Sequence, residues 1–234
     1  MVHQTSLTRA ANNIISQSLQ LRKDQNLVIF ADPGSLDVAN LVAETAQRAG
    51  VAATIFFVPY QFQAQFGITE SLPLPVEAAI RECDAVLSCL SDRPEYLAYR
   101  RRVLRTSWSR RIKMAHAPGI TLDILRLADT DYDLIRERCQ LLATALVLGR
   151  QAEIITTSTT GGQGRVYRLE AEIAGWDFTP GISDGIIGDG AWANLPPGET
   201  FIVPPNADGE IARNGSLPGR VLQPGEALVL SCRK

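Results

Sequence analysis

The sequence predicts an α/β protein in which a small doubly wound parallel-sheet domain, residues 1–148, is followed by a β-rich domain, residues 149–234. Three observations carry that expectation. Apolar runs too short for helices alternate with stretches of helical period up to Leu148, the pattern of strands linked by crossover helices. Those runs are apolar on both faces, as strands of a covered parallel sheet must be. After Gly149 the texture changes to short β-like runs broken by Gly, Pro and Asn.

The elements follow in order. From Thr8 to Leu21, Ala11, Ile14, Ile15 and Leu19 recur at helical spacing ahead of the turn-like Arg22 to Gln25. Asn26–Ala31 (NLVIFA) reads as the first strand, and it runs into the turn Asp32-Pro33-Gly34-Ser35. Leu36 to Ala49 then returns to helical period before Gly50. Ala52 to Val58 is a second strand, Pro75 to Glu82 a helix, and Ala85 to Cys89 a third strand. Arg110 to Met114 with Ala115 extends the sheet, Pro118-Gly119 turns the chain, and helices cover Ile120–Ala128 and Tyr132–Leu148. In the second domain, Glu153–Thr159, Val166–Ile173, Thr200–Val203, Glu210–Arg213 and Ala227–Cys232 are the β-like runs.

Composition narrows the function classes. The 23 basic and 25 acidic residues give a net charge of −2, and the pI is about 5.8, so no global field draws the chain to nucleic acid or membrane. No apolar run approaches the roughly 20 residues of a membrane span, and the N-terminus lacks a secretory apolar core. A soluble, cytoplasmic protein is expected. Cys83, Cys89, Cys139 and Cys232 fit neither a CxxC pattern nor a small secreted framework, and read as free core thiols.

Several segments, taken in order, resemble the aminopeptidase T family, which also includes metal-dependent dihydroxypyridine dioxygenases. They are Gly119 to Leu125 (GITLDIL), Asp131 to Asp133, Ala152 to Thr156 (AEIIT) and above all Asn194 to Pro204 (NLPPGETFIVP), continuing through Gly209 to Ile211 and Asn214 to Gly219. The resemblance implies a metal ligand at Glu199. It also implies that the other ligands belong to a further catalytic domain, which would begin about where this sequence stops; the chain is therefore expected to be a truncated relative. A hydrolytic metal site needs about three protein ligands, usually including His. The only histidines are His3 and His116, and neither forms an HxxxH, HxH or HxxE pattern. No metal site and no cofactor are expected, with Glu199 the sole residual candidate. The Thr159 to Gly164 stretch (TTGGQG) lacks the Lys-Ser/Thr of a phosphate loop and reads as a hairpin turn.

Two constellations remain. Between Arg93 and Lys113 the positives are Arg93, Arg100, Arg101, Arg102, Arg105, Arg110, Arg111 and Lys113, against Glu95 alone. They suit either a solvated helical face or a grip on the carboxylates of an acidic peptide, with Arg105, Arg110 and Arg111 as the candidates. The Gly-rich stretch Gly181 to Asn194 either turns the chain between strands or presents Trp192 and Asn194 to a bound chain. The function expected is that of a non-catalytic, aminopeptidase-like peptide-binding protein, a homodimer holding a precursor peptide for the tailoring enzymes of a ribosomally derived peptide pathway. Its candidate peptide contacts are Arg105, Arg110, Arg111, Trp192, Asn194 and Glu199. Two alternatives stand beside it: an aminopeptidase or dioxygenase-like enzyme whose metal site is completed across a dimer, and a structural subunit docking on a separate catalytic chain.

Overall fold

A computed structural model describes residues 2–59, 71–158, 164–174, 179–217, 220–223 and 225–233. The chain divides into two compact units, Met1–Glu137 with Ser183–Gly198, and Arg138–Ile182 with Glu199–Lys234. The first unit is therefore assembled from two separate stretches of sequence.

The first unit is built on a five-stranded parallel sheet of β1 (Asn26–Ala31), β2 (Ala52–Phe57), β3 (Ala85–Ser88), β4 (Lys113–His116) and β8 (Trp192–Asn194), in the order β2-β1-β3-β4-β8. The chain steps outward from β1 to β2, then crosses back to β3, so the order reverses between β1 and β3. Side chains alternate between faces, which explains why β1 is apolar on both faces from Leu27 to Ala31. Leu27, Ile29 and Ala31 face one core with Leu87 and Ala115, under Ala11 and Ile14 of the opening helical segment and Val38 and Val42 of α2 (Leu36–Arg48). Val28 and Phe30 face the other core with Val86 and Met114, under Val76 and Ile80 of α3 (Leu74–Glu82) and Tyr99 and Val103 of α4 (Leu97–Ser109). Each such buried side chain stabilises by roughly 1.5–3 kcal/mol, so both faces of the sheet must be covered.

The sequence explains where these elements begin and end. Asp37 in the first turn of α2 and Arg48 in its last turn complement the helix dipole, and Gly50 follows at φ +80°. Pro75 enters the first turn of α3, where its missing N–H costs nothing. The opening helix α1 spans Val2–Asn13, which places His3 in its first turn, and continues as a π-helical segment over Ile14–Ser18. That segment is pinned by a buried hydrogen bond from Ser18 Oγ to Tyr132 Oη at 3.1 Å. The short α5 (Leu122–Leu125) is capped by Thr121, whose hydroxyl accepts from the Ile124 amide, and a 3-10 turn follows at Arg126–Ala128.

Helix α6 (Tyr132–Leu148) leads the chain into the second unit. There β5 (Gln151–Ser158), β6 (Arg165–Glu172), β10 (Asn206–Arg213) and β13 (Leu228–Cys232) form an antiparallel sheet in the order β13-β10-β6-β5. Leu169, Ala171, Ile173 and Ala212 are buried in it. Two-stranded pairs join β7 (Gly181–Ser183) to β9 (Glu199–Phe201) and β11 (Ser216–Leu217) to β12 (Arg220–Val221). The turn expected at Thr159 to Gly164 lies, apart from Gly164, outside the described residues; the strands on either side of it pair antiparallel. The fold class the sequence predicts is the one observed. Among the described residues no helix is long and apolar enough to cross a membrane.

Candidate functional site

An open parallel sheet presents its ligand crevice at the carboxyl ends of its strands, near the point where strand order reverses. In this protein β3, β4 and β8 each end in a polar residue, Ser88, His116 and Asn194, after apolar interiors. The parallel register sets Phe30, Ser88, His116 and Asn194 side by side at the ends of β1, β3, β4 and β8. Their parity with Val86 and Met114 puts them on the α4 side of the sheet.

Behind this row the loops are fixed by Asp32, which follows β1 and is fully buried. Its Oδ1 accepts from the Gly34 amide at 2.8 Å, the Ser35 amide at 3.2 Å and the Ser35 hydroxyl at 3.3 Å. Its Oδ2 accepts from the Ser91 amide at 2.6 Å. One carboxylate thus ties the turn after β1 to the loop after β3. The Ser91 carbonyl in turn accepts from Nη1 of Arg100, on α4, at 3.3 Å.

Arg100 Nε also donates to His116 Nε2 at 3.2 Å. A guanidinium has only donors, so Nε2 must be the bare nitrogen of the ring and Nδ1 must carry the proton. Nδ1 therefore donates to Asn194 Oδ1, 3.2 Å away, which leaves the Asn194 amide group with two N–H donors to offer outward. Burial lowers the His116 pKa, the charge of Arg100 pushes it the same way, and the bond to Asn194 opposes both. Burial likewise lowers the Arg100 pKa, against the opposing charge of Asp92. Trp192 meets the His116 ring edge-on, with centroids 6.3 Å apart. At the carboxyl end of β2, an apolar cavity of about 170 Å³ is lined by Phe56, Phe57, Val58, Pro73, Val76 and Tyr99.

The residues singled out from sequence scatter around this arrangement. Trp192 and Asn194 flank His116, both exposed on β8. Arg105 is exposed on α4, and Arg110 and Arg111 are exposed just after it, Arg111 in a left-handed conformation at φ +58°. The Arg111 backbone packs against Gly190, in the turn that precedes β8, and Lys113 at the start of β4 pairs with Asp189 at 3.4 Å. Arg110, Arg111 and Lys113 therefore lie at the amino end of β4, with Lys113 three residues or roughly 10 Å from His116. Arg100, from the same basic run, is the one at the carboxyl end. Glu199 lies in the second unit with its side chain exposed, and its backbone carbonyl accepts from Cys139 Sγ at 3.7 Å. Among the described residues no three His, Cys, Asp or Glu side chains gather into a metal-binding group.

Arg100 and His116 were legible only as members of a basic run and a loop. They stand 16 positions apart, and His116 and Asn194 stand 78 apart, so only the parallel register joins them. The signal available was a polar residue closing an otherwise apolar run, as Ser88 closes Ala85 to Leu87 and His116 follows Met114-Ala115.

The fold and site define a class, that of doubly wound α/β proteins with a row of polar side chains at the carboxyl ends of a parallel sheet. Among solved structures, the chain is similar to wild-type AmpT from Thermus thermophilus, with a TM-score of 0.58 and 17% sequence identity. The likeness covers 92% of this chain and 66% of that one, so this chain spans just under two thirds of the length of the structure it matches. At that identity the likeness is one of fold, and the fold is aminopeptidase-like. No protein-family model matches the sequence, and no curated protein matches it.

Proposed function

We propose that the protein is a non-catalytic peptide-binding protein with an aminopeptidase-like fold, which docks an extended peptide along β8 and holds it as a precursor for other enzymes to modify. The observation that carries this reading is the outer edge of β8. The Ala191 carbonyl accepts from the Met114 amide, and the Leu195 amide donates to the His116 carbonyl, so the odd-numbered residues of this segment turn their backbone groups toward β4. By the two-residue period of a strand, the backbone groups of Trp192 and Asn194 turn away from β4. A peptide strand can add to such an edge through main-chain hydrogen bonds, while side chains alternating along it supply selectivity. Trp192 and Asn194 provide an apolar face and an amide beside that edge.

Calorimetric titration with extended peptides of eight to ten residues tests the reading. Binding should weaken by about tenfold in Trp192→Ala, the loss expected of an aromatic anchor. Two results would overturn it: no heat across a panel of peptides differing in charge and hydrophobicity, or turnover of those peptides by purified protein carrying stoichiometric metal.

A further inference from the structure

The solvent face of α4 carries a row of cations that the fold leaves without counter-ions. Tyr99, Val103 and Ser107 turn into the core, so at about 3.6 residues per turn Arg101, Arg105 and Trp108 point the opposite way. Arg101 and Arg105 are exposed, Trp108 is 67% exposed, and Arg110 and Arg111 continue the row, also exposed, where the helix ends. Among the described residues none of these four arginines makes an ion pair. Glu95, the one acid between Arg93 and Lys113, precedes the helix, and Asp189, in the turn before β8, is already held by Lys113. Like charges four residues apart on a helix repel, so Arg101 and Arg105 cost stability where they stand. Trp and Arg are the residue types that carry most of the binding energy at protein contacts.

The row runs up to β8. The Arg111 amide donates to the Trp108 carbonyl at 3.0 Å, which closes the turn after α4. A Cβ at Gly190 would lie 3.2 Å from the Arg111 Cβ and 3.4 Å from its Cγ, so the Arg111 side chain lies over the residue two before Trp192. A chain leaving the amino end of β8 therefore meets Arg111 first, with Trp108, Arg105 and Arg101 beyond it. From Arg101 to Trp108 is roughly 10 Å of helix and Arg111 lies just past its end, so about five residues of extended chain span the row. Charge selects the partner. These four arginines sit in a chain of net charge −2, so the remainder carries −6. A broad polyanion, a nucleic-acid duplex or an anionic bilayer, would face that acidic remainder as well. A short acidic segment touches the row alone, and each guanidinium can take a carboxylate through two parallel hydrogen bonds.

We propose that the outer face of α4 and the turn after it dock an acidic segment of the peptide whose neighbouring segment pairs with β8. This rests on the peptide-binding reading above and adds the charge that the peptide must carry beside its strand. The test uses fluorescein-labelled peptides that share one strand-forming core of about eight residues, with about five glutamates before it or after it, and the same two peptides with glutamines instead. Fluorescence anisotropy at low salt should show one glutamate peptide binding at least about fivefold tighter than its glutamine counterpart, a gain that shrinks at about 0.5 M salt. The gain should vanish in Arg105→Gln with Arg111→Gln, which keeps the Cβ and Cγ packed over Gly190, whereas Trp192→Ala weakens all four peptides alike. Arg101→Gln with Arg105→Gln, confined to the solvent face of the helix, is the second variant. Equal binding of glutamate and glutamine peptides, an equal gain from either flank, or a gain that survives both variants with circular dichroism unchanged overturns the inference and leaves peptide binding intact. Should no peptide bind, the peptide reading fails, and the surface is decided separately with labelled octaglutamate beside labelled octathymidylate at the same salt. Octaglutamate binding that is lost in Arg105→Gln with Arg111→Gln supports the docking surface; no binding, or tighter binding of the oligonucleotide, overturns it.

Discussion

Replacing Asp32 by asparagine should cost about 3–5 kcal/mol of stability. The carboxylate is fully buried and divides four hydrogen bonds between its oxygens, three on Oδ1 and one, the 2.6 Å bond from the Ser91 amide, on Oδ2. Asparagine keeps one oxygen, which the three donors at the turn after β1 would claim. Its NH2 then faces the Ser91 N–H, donor against donor. A hydrogen bond to a charged group contributes roughly 1.5–3 kcal/mol, and leaving a buried donor unsatisfied costs a further 1–3 kcal/mol or so. Because the same loop offers its Ser91 carbonyl to Arg100, the damage should reach Arg100 and its bond to His116 as well. Urea unfolding at neutral pH, followed by circular dichroism, measures the loss, and the chemical shifts of the His116 ring measure its reach. A stability change below about 1 kcal/mol would refute the view that Asp32 clamps the two loops.

Three further outcomes are expected. The His116 pKa is held below its ordinary 6.5, so between the folded and ordinary values the unfolded chain binds more protons; the stability due to the neutral ring is complete above about pH 6.5 and is lost as pH falls toward the folded value. Unfolding free energies of the wild type should therefore decline across that window more steeply than those of His116→Gln, and parallel curves would count against the lowered pKa of the ring. Burial pushes the Cys83 and Cys89 thiols up from 9.0 to about 12, a thiolate fraction about a thousandfold lower at pH 8. Iodoacetamide labelling read by peptide mass mapping should accordingly spare both until urea unfolds the chain, and labelling of Cys89 in native protein at the unfolded rate would contradict its burial. Gly209 sits on β10 at φ +117°, and a Cβ there would lie 2.3 Å from the Arg168 carbonyl oxygen; Gly209→Ala should destabilise the β-rich unit by about 2–3 kcal/mol, and an unchanged melting temperature would argue against that close approach.

Much of the fold was readable because it rests on local patterns. The β1 range, Asn26–Ala31, and the α6 range, Tyr132–Leu148, follow from apolar runs and helical period, and the observed bounds coincide with the expected ones. Strand β10 begins at Asn206, four residues before the run expected at Glu210, because Asn206 to Gly209 owe their extended form to pairing with β6 rather than to their own propensity. Strand β8 read as part of a glycine-rich loop for a related reason. Three residues, Trp-Ala-Asn, carry too little period to announce a strand, and their partner β4 lies far upstream. The candidate site shares this origin. Trp192 and Asn194 stood out by residue type, whereas Arg100, His116 and Ser88 acquire their roles from register and from the packing of α4 across the sheet. The basic run was visible as a whole, but Arg100, which bonds His116, was not separable by sequence from the exposed Arg105, Arg110 and Arg111, because the placement of α4 alone distinguishes them.

That β8 belongs to the first unit's sheet, yet is encoded after the whole of the β-rich unit's first stretch, bears on how the chain is made. Asn194 follows its partner His116 by 78 residues. At translation rates of about 5–20 residues per second, β4 emerges roughly 4–16 s before the strand that completes its ladder. For that interval a nascent chain carries an open, apolar sheet edge of the kind that recruits other strands. Ribosome-bound chains halted after Leu148 should therefore engage chaperones that release them once Asn194 has cleared the exit tunnel.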